Sequence, residues 1–220
     1  NKKKVLVVEG GPGTGKTVVA INLLVKLINE GLTSMYVTKN AAPRHVFEQK
    51  LKGIYKQKYI NHLFKGSGSF VNTAPDEINC LIVDEAHRLR KKEMLSKGEN
   101  QIKEIIKSAQ FSVFFIDESQ KVTAKDIGSI EMIKKYADEY GAEYKIDYLA
   151  SQFRCNGSDG YLAWLDDVLD IRQTANFDFG DLDFDYEFKV FDDPNEMFEA
   201  IVEKNKTNNK SRTVAGYCWE

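Results

Sequence analysis

Gly10-Gly11-Pro12-Gly13-Thr14-Gly15-Lys16-Thr17 constrains this chain more than any other stretch. It fits the pattern GxxxxGK[ST] and lies between a predicted strand, Val5–Glu9, and a predicted helix, Lys16–Asn29, which Gly31 is placed to end. Glycines at this density let the backbone curl so that successive N–H groups point at phosphate oxygens. The N-terminus of the following helix adds the positive end of its dipole. Gly11, Pro12, Gly13, Thr14, Gly15, Lys16, Thr17 and Val18 are therefore the candidate nucleotide-binding set. Lys16 is expected to reach the β- and γ-phosphates, and the Thr17 hydroxyl to be a Mg²⁺ ligand. A chance Gly-rich turn would match the pattern in about one chain of this length in a hundred, before the strand–loop–helix context is required.

The rest of the chain alternates short apolar runs with longer amphipathic stretches, the pattern of a mostly parallel sheet with helical crossovers. Strands are expected at Ser34–Thr38, Cys80–Asp84, Phe111–Asp117 and Tyr144–Leu149. Helices are expected from Pro43 to about Lys58, over Asn100–Ser108 and over Asp126–Tyr140, with Gly66–Ser69 a loop. After Gln152 the texture changes to an Asn156–Gly160 turn, a helix to about Leu169 and an acidic, aromatic stretch. A strand over Glu187–Phe191, a Pro-started helix over Pro194–Asn205 and a strand over Thr213–Cys218 complete it. The boundary expected from this change divides the chain into 1–154, an ATP-binding lobe, and 155–220, a linker with an incomplete second lobe. Strands at both extremes lack flanking elements, so the sequence reads as a piece of a longer protein.

Cys80-Leu81-Ile82-Val83-Asp84-Glu85 is an apolar strand ending in two acids. An Asp at such a strand end holds Mg²⁺ in P-loop NTPases, because a hard cation takes oxygen ligands. The neighbouring Glu85 is placed to orient or deprotonate an attacking water. Asp117-Glu118-Ser119-Gln120 forms another polar strand tip at the same end of the sheet, the end where open α/β sheets bind ligands. Asp117 and Gln120 are thus candidates for the γ-phosphate neighbourhood, although any βα turn carries polar residues.

The order of these motifs resembles superfamily 1 helicase-type ATPases, and within them the Schlafen group 3-like DNA/RNA helicase domain. The string at residues 10–17 resembles motif I, Thr38-Lys39-Asn40-Ala41-Ala42 motif Ia, and Asp84-Glu85-Ala86-His87-Arg88-Leu89 motif II. Asp117-Glu118-Ser119-Gln120 is similar to motif III, and Leu149–Cys155 to motif IV. The match covers the first 155 residues by motif and the remainder by element order alone. The resemblance implies a RecA-like P-loop NTPase fold with ATP and Mg²⁺ as cofactors. It implies Lys16, Glu85, Gln120 and Arg154 as catalytic residues, with Gln120 sensing the γ-phosphate and Arg154 an arginine finger. It implies Thr17 and Asp84 as metal ligands, and Thr38 and Asn40 as contacts to a nucleic-acid backbone. DEAH alone would suit superfamily 2, but no Ser-Ala-Thr tripeptide follows it; late helicase motifs V and VI are absent.

Composition limits the alternatives. The chain of 220 residues is 42% hydrophobic and 29% charged, which argues against disorder. No apolar run approaches the roughly 20 residues of a membrane span; Val18–Ile28 is broken by Asn22 and Lys26. The N-terminal lysines lead into an apolar core too short for a signal peptide. Cys80, Cys155 and Cys218 offer neither a disulfide framework nor a zinc pair, and a reducing, cytoplasmic setting is expected. His45, His62 and His87 have no partners at metal-ligand spacing; His87 is expected to couple the nucleotide site to its surroundings.

A net charge of -2 does not announce nucleic-acid binding. Charge is nevertheless segregated: Lys39, Arg44, Lys50, Lys52, Lys56, Lys58 and Lys65 face only Glu48, whereas acids dominate 176–199. The basic stretch, with Phe47, Tyr55 and Tyr59, can serve as a backbone-binding surface or simply as a solvated helix. The acidic run lacks EF-hand spacing and reads as solvated surface. The function expected is the ATP-hydrolysing core of a DNA or RNA helicase or translocase whose partner is single-stranded nucleic acid. A regulatory NTP-binding switch without unwinding activity is the alternative. A small-molecule kinase is disfavoured by the absence of an Arg-rich lid.

Overall fold

In a computed structural model of the chain, the described residues are 2–54, 56–91, 98–121, 123–150, 159–171 and 188–214. Six strands form one sheet: β1 (Lys4–Glu9), β2 (Ser34–Thr38), β3 (Phe64–Gly66), β4 (Ile78–Asp84), β5 (Ala109–Ile116) and β6 (Glu143–Tyr148). Their order is β3-β2-β4-β5-β1-β6, and every pairing is parallel. Parallel strands need crossovers, and these are α1 (Lys16–Asn29), α2 (Ala41–Leu51), α3 (Gln57–Leu63), α4 (Gln101–Ser108) and α5 (Ile130–Glu139). This is the α/β P-loop NTPase architecture expected from the sequence.

Period-two alternation assigns each strand side chain to one of two cores. Val5 and Val7 share a core with Leu81, Val83, Phe114 and Ile116, covered by Ile102, Ile105 and Ile106 of α4 and Ile133 of α5. Val8, Tyr36, Ile82, Val113 and Phe115 point the other way, against Ala20 and Leu24 of α1 and Ile60 of α3. Leu81, Ile82 and Val83 are wholly buried, so β4 is covered on both faces. That double burial explains its unbroken apolar sequence. Each such side chain contributes about 1.5–3 kcal/mol through burial.

Helix ends follow local chemistry. Gly31 takes φ 78°, and the bonds Gly31 N–H to Ile28 O (2.9 Å) and Leu32 N–H to Leu27 O (3.0 Å) close α1. The Asn100 Oδ1 accepts from Ile102 N (2.9 Å) and Lys103 N (3.3 Å), and Ser129 Oγ accepts from Met132 N (3.1 Å).

Several expectations need correction. The basic helix from Pro43 to Lys58 is two helices, α2 and α3, because the chain turns at Gly53 with φ 89°. The loop expected at Gly66–Ser69 begins with the end of a strand, β3, too short to carry a periodic signal. No strand forms over 188–191, the described part of the strand expected at Glu187–Phe191.

The chain divides into two compact units, 1–175 and 176–220. The first holds the sheet and also α6 (Asp159–Val168). In the second, α7 (Pro194–Asn208) starts with Pro194 behind an Asp193 cap whose Oδ1 accepts from Asn195 N (2.8 Å). Among the described residues no helix is long and apolar enough to cross a membrane.

Candidate nucleotide site

β1 delivers the chain to the carboxyl edge of the sheet, where Gly10 N–H donates to Ile116 O of β5 (3.1 Å). The loop then reverses through Gly13 (φ 80°) and Gly15 (φ 84°), left-handed positions that a Cβ would strain, and α1 starts at Lys16. Thr14 Oγ1 donates to Gly11 O (3.0 Å) and braces the loop internally. Lys16 is 7% exposed and its Nζ donates to the carbonyls of Gly10 and Gly11, the latter at 2.8 Å. Its charge also faces Asp117 Oδ2 at 3.9 Å.

Asp84 ends β4 as a buried carboxylate surrounded by donors. Its Oδ2 accepts from Thr17 Oγ1 (2.7 Å) and from Tyr36 Oη (2.6 Å), and its Oδ1 from the Glu85 N–H (3.0 Å). Burial, then the Asp84 charge, push the Tyr36 phenol far above its ordinary range, so it stays a neutral donor. The Thr17 hydroxyl and the Asp84 carboxylate converge beside the phosphate-type loop. This pair of hard oxygens suits Mg²⁺, which usually takes one or two protein oxygens and fills its shell with water and phosphate.

Glu85 has φ 55° and ψ 45°, an uncommon backbone conformation for a residue with a Cβ. That turn starts a one-turn 3₁₀ helix at residues 86–88, and the Glu85 side chain lines the cavity by the loop. His87, 1% exposed, joins two strand ends: its Nδ1 accepts from Asp117 N–H (3.4 Å), and its Nε2 lies 3.1 Å from Glu85 Oε2. Since Nδ1 is an acceptor, the proton sits on Nε2 and is donated to Glu85. The His87 hydrogen bond holds the Glu85 carboxyl below the usual range, partly opposed by burial. The group is therefore ionised at neutral pH.

Asp117 collects Ser119 Oγ (2.6 Å) and Gln120 Nε2 (2.8 Å) around the carboxylate that faces Lys16. Pro12, Gly13, Gly15, Lys16, Thr17, Val18, Glu85 and Gln120 line one cavity of about 250 Å³. Residues from three separate segments of the sequence thus meet at one edge of the sheet. Thr38 is wholly buried, level with Asp84 in the strand register, and its Oγ1 accepts from the Asn40 N–H (3.3 Å). Asn40 is half-buried and presents the more accessible side chain of the two. Arg154 lies outside the described residues.

Sequence reasoning missed two contributors. Tyr36 looks like any aromatic in a buried strand; only the β2–β4 pairing brings its hydroxyl to Asp84. Gly128 is the other: a Cβ built there would lie 1.9 Å from Ala86 O, so this backbone wedges directly against the turn after Glu85. Ile127 N–H to Leu89 O (2.8 Å) and the Arg88–Asp126 ion pair (3.2 Å) hold the same loop in place. Gly128→Ala is expected to cost about 2–3 kcal/mol, a fall in melting temperature of roughly 5–10 °C. An unchanged melting curve would show that the wedge is not tight.

An all-parallel α/β sheet with a glycine-rich loop between β1 and α1 gives the chain a fold similar to that of a P-loop ATPase. The chain belongs to the family described as "Schlafen group 3, DNA/RNA helicase domain", whose sequence profile matches residues 3–220. It is similar to an uncharacterized protein of Saccharomyces cerevisiae (YPL245W), with 25% identity over 96% of this chain and 54% of that protein. The chain thus spans about half the length of the curated relative it matches. A crystal structure of a DNA replication initiation factor is similar at 12% identity and a TM-score of 0.35, covering 93% of this chain and 55% of the other.

Proposed function

We propose that this chain is the ATP-binding and hydrolysing lobe of a nucleic-acid-dependent ATPase, a helicase or translocase. The observation that carries the reading is the Thr17–Asp84 oxygen pair beside the loop that buries Lys16. The loop amides and Lys16 bind the phosphates, with Lys16 exchanging its Gly10 and Gly11 carbonyl partners for phosphate oxygens. Thr17 and Asp84 hold Mg²⁺, which on binding neutralises charge on the phosphates. Glu85, ionised and aimed by His87, orients a water for in-line attack and accepts its proton. Gln120 senses the γ-phosphate, and its hydrogen bond to Asp117 is the route by which hydrolysis is reported to β5.

Arg154 follows β6 by a few residues, and the family resemblance supports its role as an arginine finger. Asn40, with Thr38 bracing its backbone, is the proposed contact to a nucleic-acid strand at the end of β2. The test is ATP turnover with and without single-stranded oligonucleotide, in the longer protein expected to carry this chain. Stimulated turnover is expected, and Arg154→Ala should lower it by about 10³-fold or more with ATP affinity changed only a few-fold. Turnover indifferent to nucleic acid would reject the helicase reading, and full stimulation in the Arg154 variant would reject the finger.

A further inference from the structure

An open cleft of about 780 Å³ lies along the outer edge of the sheet, formed by Lys56, Lys58, Tyr59, Asn61, His62 and Lys65. We propose that this cleft binds the phosphate backbone of a single-stranded polynucleotide, at a site separate from the nucleotide cavity and from Asn40.

The break of the expected long helix creates the cleft. After the turn at Gly53 the short helix α3 buries Ile60 and Leu63 against the sheet. Lys58, Asn61 and His62, spaced i, i+3 and i+4, then share its outward side, and Lys65 follows directly in β3. β3 is an edge strand, so nothing in the sheet covers this side. Among the described residues no carboxylate lines the cleft, and Lys56, Lys58, His62 and Lys65 make no ion pair. Cations gathered without compensating acids repel one another, and a polyanion relieves that repulsion.

Size and rings narrow the ligand. The volume lies at the upper end of the range for whole small-molecule ligands, far more than one phosphate fills. Tyr59 is 40% exposed on the cleft wall with His62 exposed beside it, offering ring faces on which bases stack. An acidic peptide would use the cations but gain nothing specific from the rings. Four strand spacings separate β3 from β1, so the cleft is roughly 19 Å from the P-loop strand. It extends a track rather than duplicating the ATP site.

The test is fluorescence anisotropy of the 220-residue chain with labelled dT20 and U20, without nucleotide, across a salt series. Each phosphate contact on a single strand contributes about 0.7 to the slope of log affinity against log salt. Replacing Lys56, Lys58 and Lys65 together with Ala should lower that slope by about 2 and weaken binding about tenfold or more. The matching Lys→Arg triple variant should keep both, since it keeps the charges. Tyr59→Leu should weaken binding with the slope unchanged, because stacking is lost and charge retained. An unaltered slope and affinity in the Lys→Ala variant overturns the proposal. Competition by poly-glutamate as strong as that by dT20, with no effect of Tyr59→Leu, also overturns it and assigns the cleft to an acidic peptide. Failure of the P-loop reading would leave these results untouched, since no ATP is present.

Discussion

Glu85→Gln is expected to leave ATP–Mg²⁺ binding intact and to reduce turnover by about 10²–10⁴-fold, the usual share of a general base. The amide keeps the size of the carboxylate and still accepts from His87 Nε2, so the 3₁₀ turn at residues 86–88 should persist. What it loses is the capacity to take a proton. The His87 hydrogen bond holds Glu85 below the ordinary carboxylate range, so its folded pKa is depressed. The stabilisation this bond gives is present above the unfolded carboxylate pKa and is lost as pH falls through the folded value. Turnover in the parent protein should fall on the same acid side, and the Gln variant should show no such limb. Single-turnover hydrolysis in the full-length protein, with ATP affinity measured by calorimetry, checks both parts. Near-normal turnover in the variant would remove Glu85 from the mechanism.

Lys16→Ala is expected to abolish measurable ATP binding while the fold survives. Charge-assisted hydrogen bonds contribute about 1.5–3 kcal/mol each, so losing two phosphate contacts amounts to on the order of 10²-fold or more. The side chain is buried, yet the contacts described for its ammonium go to loop carbonyls and to Asp117, not to the apolar core. Removing it leaves Asp117 with Ser119 and Gln120 as partners, which limits the structural cost. Calorimetry with ATP and Mg²⁺, together with a melting curve, reads the two effects separately. Unchanged ATP affinity with an unchanged melting curve would sink the P-loop assignment.

Much of this domain was legible in its residues. Lys16–Asn29 is α1 to the residue, because a glycine-rich N-terminal turn and Gly31 bound a helical apolar pattern on both sides. Ser34–Thr38 is β2 without adjustment. The acid-tipped strand at 78–84 was recognisable because burial on both faces demands an uninterrupted apolar run. The helix expected from Asp126 begins later, at Ile130, since Asp126 is drawn to Arg88 and Gly128 is pressed against Ala86. Neither partner is near it in the chain, so no local signal could have moved the boundary.

The same division governs the site. Local sequence alone determined the phosphate loop, the acid pair after β4 and the polar tip after β5, because each requires particular residue types within a few positions of one another. Their convergence, and the roles of groups that look like ordinary core or loop, were decided by strand order and register. Placing β5 between β1 and β4 brings Asp117 to Lys16 on one side and His87 on the other. Pairing β2 with β4 lets a buried tyrosine hydrogen-bond the candidate metal-binding Asp84. These are contacts between distant segments, and their energy depends on a few ångströms that only the packed sheet defines. The basic stretch shows the same limit: its charge was readable, but the break at Gly53 that folds it into a cleft beside β3 belongs to the tertiary structure.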